Sequence, residues 1–454
     1  MSRNRCIAAI IVLSLLVPMA HRAESAPPPF PDMEWSFYRY QEAVQFLKTR
    51  RIIAGNPDGT FRPKNMVNRA EFLKMLLQGD RDIIDPDRRC FSDVNPREWY
   101  APYVCTAKLR TVVKGYPDGS FRPADPVNMA EAIKMAMGVY GMRVEEAKGT
   151  AWYTTYTKEL DEKGILSSQS FIAWEPVNRE RAADLIWRLL RYKEEGFIAR
   201  ESPGCKAQKG DAPTTLALFD QERSFLLTKP DRASARKPAP LVIAFHGRTN
   251  SNEQVRGYYG IDRELSESYI AYPAALRNSI SSFSWANPGD KAGQLRDILF
   301  FDRIVKTLAE HYCIDMDRIS VVGHSLGAWM ANSVACVRGG VILASATVGG
   351  DSVQTTCAGP TSGLIAHNPN DNLAPFSGSE RARDLRIKTN QCDLTAAVSG
   401  PASLHCTRYP RCGGEAEVLW CPHTEDRDYR GNYYPHTWPD SMAEEIKNFL
   451  ESLE

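Results

Sequence analysis

At 454 residues, 24% of them charged, and with a formal net charge of +1, the chain is too long for one compact core. It is also too evenly charged to favour nucleic acid or a polybasic membrane contact. The composition is that of a globular, multidomain protein and leaves the charge of any substrate open.

Arg3 and Arg5, an apolar stretch from Cys6 to Met19, small residues at Ala23-Glu24-Ser25 and then Pro27-Pro28-Pro29 form the pattern of a secretory signal peptide over residues 1–25. That stretch is short for a bilayer span and no other segment is apolar enough, so the mature chain is expected to be exported without a membrane span. Cysteine usage agrees. With Cys6 set aside, Cys90 and Cys105 lie in the first half and eight more run from Cys205 to Cys421, even sets that suggest disulfides within each half. Cys406, Cys412 and Cys421, with His405 and His423, match no paired zinc spacing, so no metal is expected.

Asn56-Pro57-Asp58-Gly59-Thr60-Phe61-Arg62-Pro63 recurs 60 residues on as Tyr116-Pro117-Asp118-Gly119-Ser120-Phe121-Arg122-Pro123, and Asn68-Arg69-Ala70-Glu71 recurs as Asn128-Met129-Ala130-Glu131. A third, eroded copy follows: Trp152-Tyr153 echoes Trp99-Tyr100, and Trp174-Glu175-Pro176-Val177-Asn178 echoes Ala124-Asp125-Pro126-Val127-Asn128. The copies occupy about 32–80, 90–141 and 150–195, a repeat unit over 32–195. Pro-Asp-Gly sets a tight turn. Asn68 and Asn128 are N-caps with Glu71 and Glu131 placed to close capping boxes, whereas Arg181 stands where the third glutamate would be. Phe72, Met75 and Leu76, and again Leu185, Ile186, Leu189 and Leu190, share helix faces.

These repeats resemble the S-layer homology domain, a triplicated module that fastens exported bacterial proteins to polymers of the cell envelope. The resemblance implies an all-α unit whose envelope-glycan-contacting arginines are Arg69 and Arg179, with Met129 replacing the arginine of the second copy.

Residues 196–213 are polar and irregular, with Pro203, Gly204 and Gly210, and read as a linker. From 214 to 454 short β-branched runs alternate with helical patterns. Leu241–Phe245, Ile319–Val322, Val341–Leu343 and Leu364–Ala366 read as buried strands. Phe301, Ile304, Val305 and Leu308 mark a helix, and Ser441 with Glu444 is placed to box the last one. The alternation predicts a parallel sheet covered by helices on both faces.

Gly323-His324-Ser325-Leu326-Gly327 follows the apolar run Ile319–Val322 and precedes a helical pattern, the strand–turn–helix context of a nucleophile elbow. A serine hydroxyl needs a base, and the base needs a carboxylate to hold its tautomer. All histidines but His21 lie in this half. In the chain order serine, acid, histidine, the candidates are Ser325, Asp371 and His436, with Asp351 a rival acid and His423 a rival histidine. The backbone N–H groups of Leu326 and Arg248 are placed to form an oxyanion hole, and His246 reads as structural. His324, Trp285 and Trp438 are expected to contact substrate.

Pro240–Gly247, the Gly-His-Ser-Leu-Gly elbow, the His367-Asn368-Pro369-Asn370-Asp371 loop and the late His436-Thr437-Trp438-Pro439 resemble the secreted feruloyl esterase and polyhydroxyalkanoate depolymerase family of α/β-hydrolases. Asn368 and Pro435 depart from that pattern. The resemblance implies Ser325 as nucleophile, His436 as base and then acid, Asp371 as orienter, no cofactor, and an ester-substituted polysaccharide or a polyester as substrate. A catalytically idle surface-layer binding protein is the alternative from another class.

Overall fold

A computed structural model describes residues 27–81, 89–147, 149–207, 209–219, 221–277, 283–428 and 430–453; the expected signal peptide at 1–25 lies outside them. The first half is built on helices α1 (Tyr38–Thr49), α2 (Arg69–Asp80), α3 (Ala101–Leu109), α4 (Met129–Val139), α5 (Thr154–Glu162) and α6 (Arg179–Glu195). Asn68 and Asn128 each accept the backbone N–H three residues on while Glu71 and Glu131 accept the N-cap N–H, so both capping boxes form. In the third copy Asn178 caps α6 alone, and Arg181 turns to Ser170 O instead.

The three copies close into a cycle. Val67 N–H donates to Val177 O (2.9 Å), Val177 N–H to Val127 O (2.9 Å) and Val127 N–H to Val67 O (3.0 Å). Isolated β-bridges Met66↔Asn178, Asn68↔Pro126 and Asn128↔Pro176 accompany these bonds, so the helical expectation omitted the short extended segments that tie the ring together. Such segments are too brief for a period-two pattern to show.

The second half is a ten-stranded mixed sheet. Its strands are β1 (Thr215–Leu218), β2 (Gln221–Thr228), β3 (Ala239–Phe245), β4 (Tyr269–Pro273), β7 (Ile314–His324), β8 (Ala344–Val348), β9 (Ser362–Ala366), β10 (Val398–Ser399), β11 (Thr407–Tyr409) and β12 (Val418–Cys421), with β5 (Leu276–Arg277) and β6 (Phe283–Ser284) forming a separate hairpin. The order is β1-β2-β4-β3-β7-β8-β9-β12-β11-β10, parallel from β4 to β12 and antiparallel at both edges. The helices are α7 (Asn252–Tyr259), α8 (Ile261–Glu264), α9 (Lys291–His311), α10 (Leu326–Val337), α11 (Phe376–Thr389) and α12 (Met442–Glu451).

Alternate residues of one strand feed opposite cores, as a sheet covered on both faces requires. Ile243, Phe245, Ile319 and Val321 pack with Phe301, Ile304, Val305 and Leu308 of α9 and Val334 of α10. Val242, Ala244, Val322 and Leu364 pack with Val255, Tyr259, Ile446 and Phe449 on the other side. Two expectations fail here. Val341–Leu343 is the turn leading into β8, because Arg338 O accepts the N–H groups of Val341 and Ile342 and closes a turn there. Ser441 has helical backbone angles and makes no cap bond, so the box with Glu444 does not form.

Residues 196–213 are docked rather than free. Ser202 N–H donates to Ile314 O (3.1 Å), Ser202 Oγ accepts from Ile314 N–H (2.8 Å) and donates to Tyr312 O (2.7 Å), and Met316 N–H donates to Arg200 O (2.8 Å). Cys205 is bridged to Cys313; the other pairs are Cys90–Cys105, Cys336–Cys357, Cys392–Cys412 and Cys406–Cys421, all within their halves. Phe37, from the first half, is buried in the same core as Ile319 and Val321. Ser168 Oγ donates to Glu415 Oε2 (2.8 Å) and Gln169 Nε2 to Leu453 O (2.5 Å). The ring therefore sits against the start of β7, the approach to β12 and the end of α12, which is the N-terminal edge of the parallel strands.

The Cys205–Cys313 bridge spans 108 residues, so its loss releases a large loop in the unfolded chain. Replacing both cysteines by alanine in the full chain is expected to cost about 2–4 kcal/mol, read as a lower urea midpoint. A fragment 210–454, which lacks Cys205 and Phe37, is expected to fall further; equal midpoints for fragment and full chain would contradict the docking.

Candidate active site

Ser325 stands between β7 and α10 with φ 58° and ψ −125°, a backbone conformation that L-residues adopt only when their surroundings impose it. The surroundings are tight. A Cβ on Gly327 would lie 2.2 Å from Phe245 O and 2.6 Å from His246 O, so only glycine lets the first turn of α10 press against the end of β3. Ser325 N–H donates to Val348 O (2.9 Å), tying the turn to the end of β8.

His436, from the loop before α12, donates Nδ1–H to Asp371 Oδ2 at 2.6 Å, and the Asp371 side chain is only 1 % exposed. Asp371 Oδ1 accepts from the N–H groups of Leu373 (2.8 Å) and Ala374 (3.0 Å). Burial alone would raise the carboxyl's pKa, but the hydrogen bonds from His367, His436 and Ala374 outweigh it and hold Asp371 well below the usual carboxylate range. Gly349, with φ 62°, follows β8 beneath this pair, where an added Cβ would stand 3.4 Å from His436 Nδ1 and 3.5 Å from Asp371 Oδ2. The His436 ring lies 4.7 Å, centroid to centroid, from that of His324, the neighbour of Ser325. Among the described residues no hydrogen bond joins Ser325 Oγ to His436.

The rivals are engaged elsewhere. Asp351 pairs with Arg381 and accepts Ser352 N–H, and among the described residues no imidazole bonds to it. His423 is buried with neither ring nitrogen partnered, and burial first, then the neighbouring His367 imidazole, push its pKa down to about 4. His246 donates Nδ1–H to Gly247 O (2.7 Å) and accepts Ala275 N–H at Nε2 (3.0 Å); burial pushes it down to about 4, so it is a neutral brace of the loop after β3. That loop carries Arg248, whose backbone N–H, like that of Leu326, is spent on no acceptor among the described residues. The Arg248 side chain reaches outward to Asn287 Oδ1 (2.9 Å).

His324 lies behind Ser325, facing Tyr258 Oη at 3.4 Å through Nδ1 and leaving Nε2 unpartnered; burial pushes it down to about 3. Trp438 stacks on Tyr259 at 4.0 Å and meets His324 edge-on, which makes it a floor of the site. Trp285 is placed differently from expectation. It is 2 % exposed and donates its indole N–H to His246 O (2.8 Å), so it supports the loop after β3 from within the core. Sequence reasoning assigned no role to Tyr258 and Tyr434, half-exposed rings beside His324 and His436, or to His367, which it named only within the loop to Asp371 and which bonds to that carboxylate. The i, i+4 spacing of His367 and Asp371 was the available signal.

In the ring of repeats, Arg69 is 5 % exposed and donates Nε to Phe121 O (3.0 Å) and Nη1 to Glu131 (2.8 Å), lying over Phe121 and Tyr116. It clamps the first copy to the second, which leaves little of it for an external glycan. Arg179 makes the matching contact to Phe61 O (2.7 Å) between the third copy and the first, and is more open.

The S-layer homology domain family model matches residues 29–73 and 91–133. Middle cell wall protein of Brevibacillus brevis is 28% identical over 176 residues, 36% of this chain and 16% of that protein. Feruloyl esterase D of Neurospora crassa is 26% identical over 257 residues, 51% of this chain and 83% of that protein. Poly(3-hydroxyalkanoate) depolymerase C of Paucimonas lemoignei is 28% identical over 149 residues, 32% of this chain and 36% of that protein. The chain is a secreted, envelope-attached protein that carries S-layer homology domains alongside a region similar to feruloyl esterases and polyhydroxyalkanoate depolymerases.

Proposed function

We propose that the chain is a serine carboxylic ester hydrolase held at the cell surface. The observation that carries this reading is the convergence, at the C-terminal ends of neighbouring parallel strands, of a strained Ser325 and a His436 bonded to the buried carboxylate of Asp371. Ser325 Oγ attacks the ester carbonyl carbon while His436 Nε2 takes its proton. Asp371 holds Nδ1–H, so the lone pair of Nε2 is the one presented to the serine. The carbonyl oxygen becomes an oxyanion that accepts from the N–H groups of Leu326 and Arg248. The intermediate collapses, the alkoxide leaves with the proton from His436, and the acyl group stays on Ser325. Water, deprotonated by the same imidazole, then releases the acid and restores the serine.

Feruloyl or acetyl esters on plant polysaccharide are the substrate class we infer. Two feruloyl esterase relatives support it, and so do the Tyr258 and Tyr434 rings, 41 % and 40 % exposed, which offer flat faces to an aromatic acyl group. A polyester is the second reading, favoured by exposed Leu373 and Tyr433 beside the site and by the depolymerase relative. The repeats hold the chain to an envelope polymer, with Arg179 the open arginine for glycan contact.

Ser325→Ala is expected to lower kcat/KM for methyl ferulate by at least about 10³-fold in the oxidised full chain, with binding to isolated envelope unchanged. Cleavage of only a short p-nitrophenyl ester would move the substrate towards acetyl or hydroxyalkanoate groups. Turnover of neither would favour a binding protein.

Asp371→Asn is expected to lower kcat by about 10³–10⁴-fold through loss of the imidazole tautomer. Because the folded carboxyl's pKa is depressed, its contribution to stability is full above the ordinary carboxylate pKa near 4 and is lost as pH falls through the folded value. The asparagine variant should therefore show a flatter decline of urea midpoint below about pH 4; parallel declines would contradict the depressed pKa.

A further inference from the structure

His367 begins the loop out of β9, four residues before Asp371, with its side chain 1 % exposed. Its Nδ1 faces Ser379 Oγ at 2.8 Å, and its Nε2 faces Asp371 Oδ2 at 3.0 Å and Ala374 O at 3.2 Å. Ser379 has one hydroxyl proton, and that proton is committed to Gly350 O at 2.5 Å, because two oxygens do not approach so closely without a hydrogen between them. The serine oxygen therefore offers Nδ1 only lone pairs, and Nδ1 must carry hydrogen.

The same holds at the other nitrogen. Ala374 O has no proton to give. Asp371 is ionised, since its two oxygens already accept from Leu373 N–H, Ala374 N–H and His436 Nδ1–H. Nε2 faces two acceptors and must also carry hydrogen. A neutral imidazole has one N–H; two N–H groups make an imidazolium. Turning the ring over would set carbon against these acceptors and leave a buried carboxylate lone pair without its donor.

We propose that His367 is a resident imidazolium, a positioning residue that neutralises Asp371 at Oδ2, the oxygen it shares with His436, and so sets the proton affinity of the base at Ser325. The proposal rests on the reading of Asp371 and His436 as acid and base. With His367 charged, His436 faces a carboxylate already paired, which favours its neutral, proton-accepting form at rest. When His436 takes the serine proton, the three charges around Asp371 sum to plus one and the oxyanion brings the site to zero. Without His367 the site would carry a net negative charge at that point.

Three titratable neighbours are neutral. His423 and His324 are both buried and pushed down, to about 4 and about 3, by burial first and by neighbouring imidazoles including His367 after that. Tyr434 faces Asp371 from the loop of His436 and is pushed up, by burial first and then by Asp371, so it stays a neutral phenol. From α11 the nearest ring is Phe376, 5.4 Å away and apolar.

The test is ¹⁵N NMR of the histidine side chains in the oxidised full chain, with the His367 signals assigned by their loss in His367→Gln. Both ring nitrogens of His367 are expected to be protonated at pH 7. A single N–H there overturns the proposal even if esters are hydrolysed, whereas a doubly protonated ring in a chain that hydrolyses no ester supports the charge assignment and sinks the esterase reading instead. In kinetics, His367→Gln is expected to move the acid limb of the kcat/KM profile upward by about one pH unit, because removing a cation raises the proton affinity of the nearby base. His367→Lys, which restores a cation, should bring the limb back. Should the glutamine variant fail to fold, Ser379→Ala removes the acceptor at Nδ1, lets the ring neutralise and should move the limb the same way. An unmoved limb in folded variants overturns the role of the charge.

Discussion

The contact on which the site depends is the one between the first turn of α10 and the end of β3. Gly327 lets its backbone rest against Phe245 O and His246 O, and that approach forces the Ser325 turn into its positive-φ conformation. Strain of this kind costs of order 1–3 kcal/mol and persists only where packing over-determines it. Here the packing comes from three parallel strands in register, with Phe245 opposite Gly323 and Gly323 opposite Thr347, so the ends of β3, β7 and β8 lie side by side. The loop with Arg248, the serine, and Gly349 under His436 all follow from that alignment. Because the approach is between backbones, a side-chain rearrangement cannot relieve an added Cβ there.

Parallel strands give the sheet two unlike ends, and the chain uses both. The C-terminal ends carry the site, as is usual for open α/β sheets. The N-terminal ends receive the ring of repeats through Phe37, the docked segment around Ser202 and the Cys205–Cys313 bridge. The fully buried Arg223–Asp297 pair and the Arg338–Asp302 pair brace α9 between these ends. Each charge is met by its partner, so neither is left as an uncompensated buried ion.

Strictly local features were the most legible in the sequence. The Asn68 and Asn128 capping boxes, the Pro-Asp-Gly turns and the Gly-His-Ser-Leu-Gly elbow each involve residues within a few positions of one another, and each forms where the spacing placed it. Asp371 and His436 were legible as an ordered pair because chain order reflects sheet topology. What escaped depended on distant partners. The polar stretch 196–213 has loop composition, but its backbone groups are satisfied by β7, over a hundred residues away. The Val67–Val127–Val177 cycle unites three residues that no periodicity links. Trp285 looked like a ligand-facing aromatic and is instead spent on His246 O, since only the fold decides which side of a loop an indole meets. His367 was visible as part of a motif, yet its protonation follows from Ser379 and Gly350, residues that mean nothing in isolation.

Docking also changes what surface attachment does. A flexible linker would let a hydrolase sample every orientation above the envelope, raising effective concentration for substrates on either side of it. A ring pressed against the N-terminal strand ends and stapled through Cys205 fixes the direction in which Ser325 faces relative to the repeats. An 11-residue strand such as β7 spans roughly 35 Å at about 3.3 Å per residue, so docking segment and nucleophile lie at opposite ends of one rigid element. With the repeats held, that geometry gives the site one fixed direction rather than a range of them.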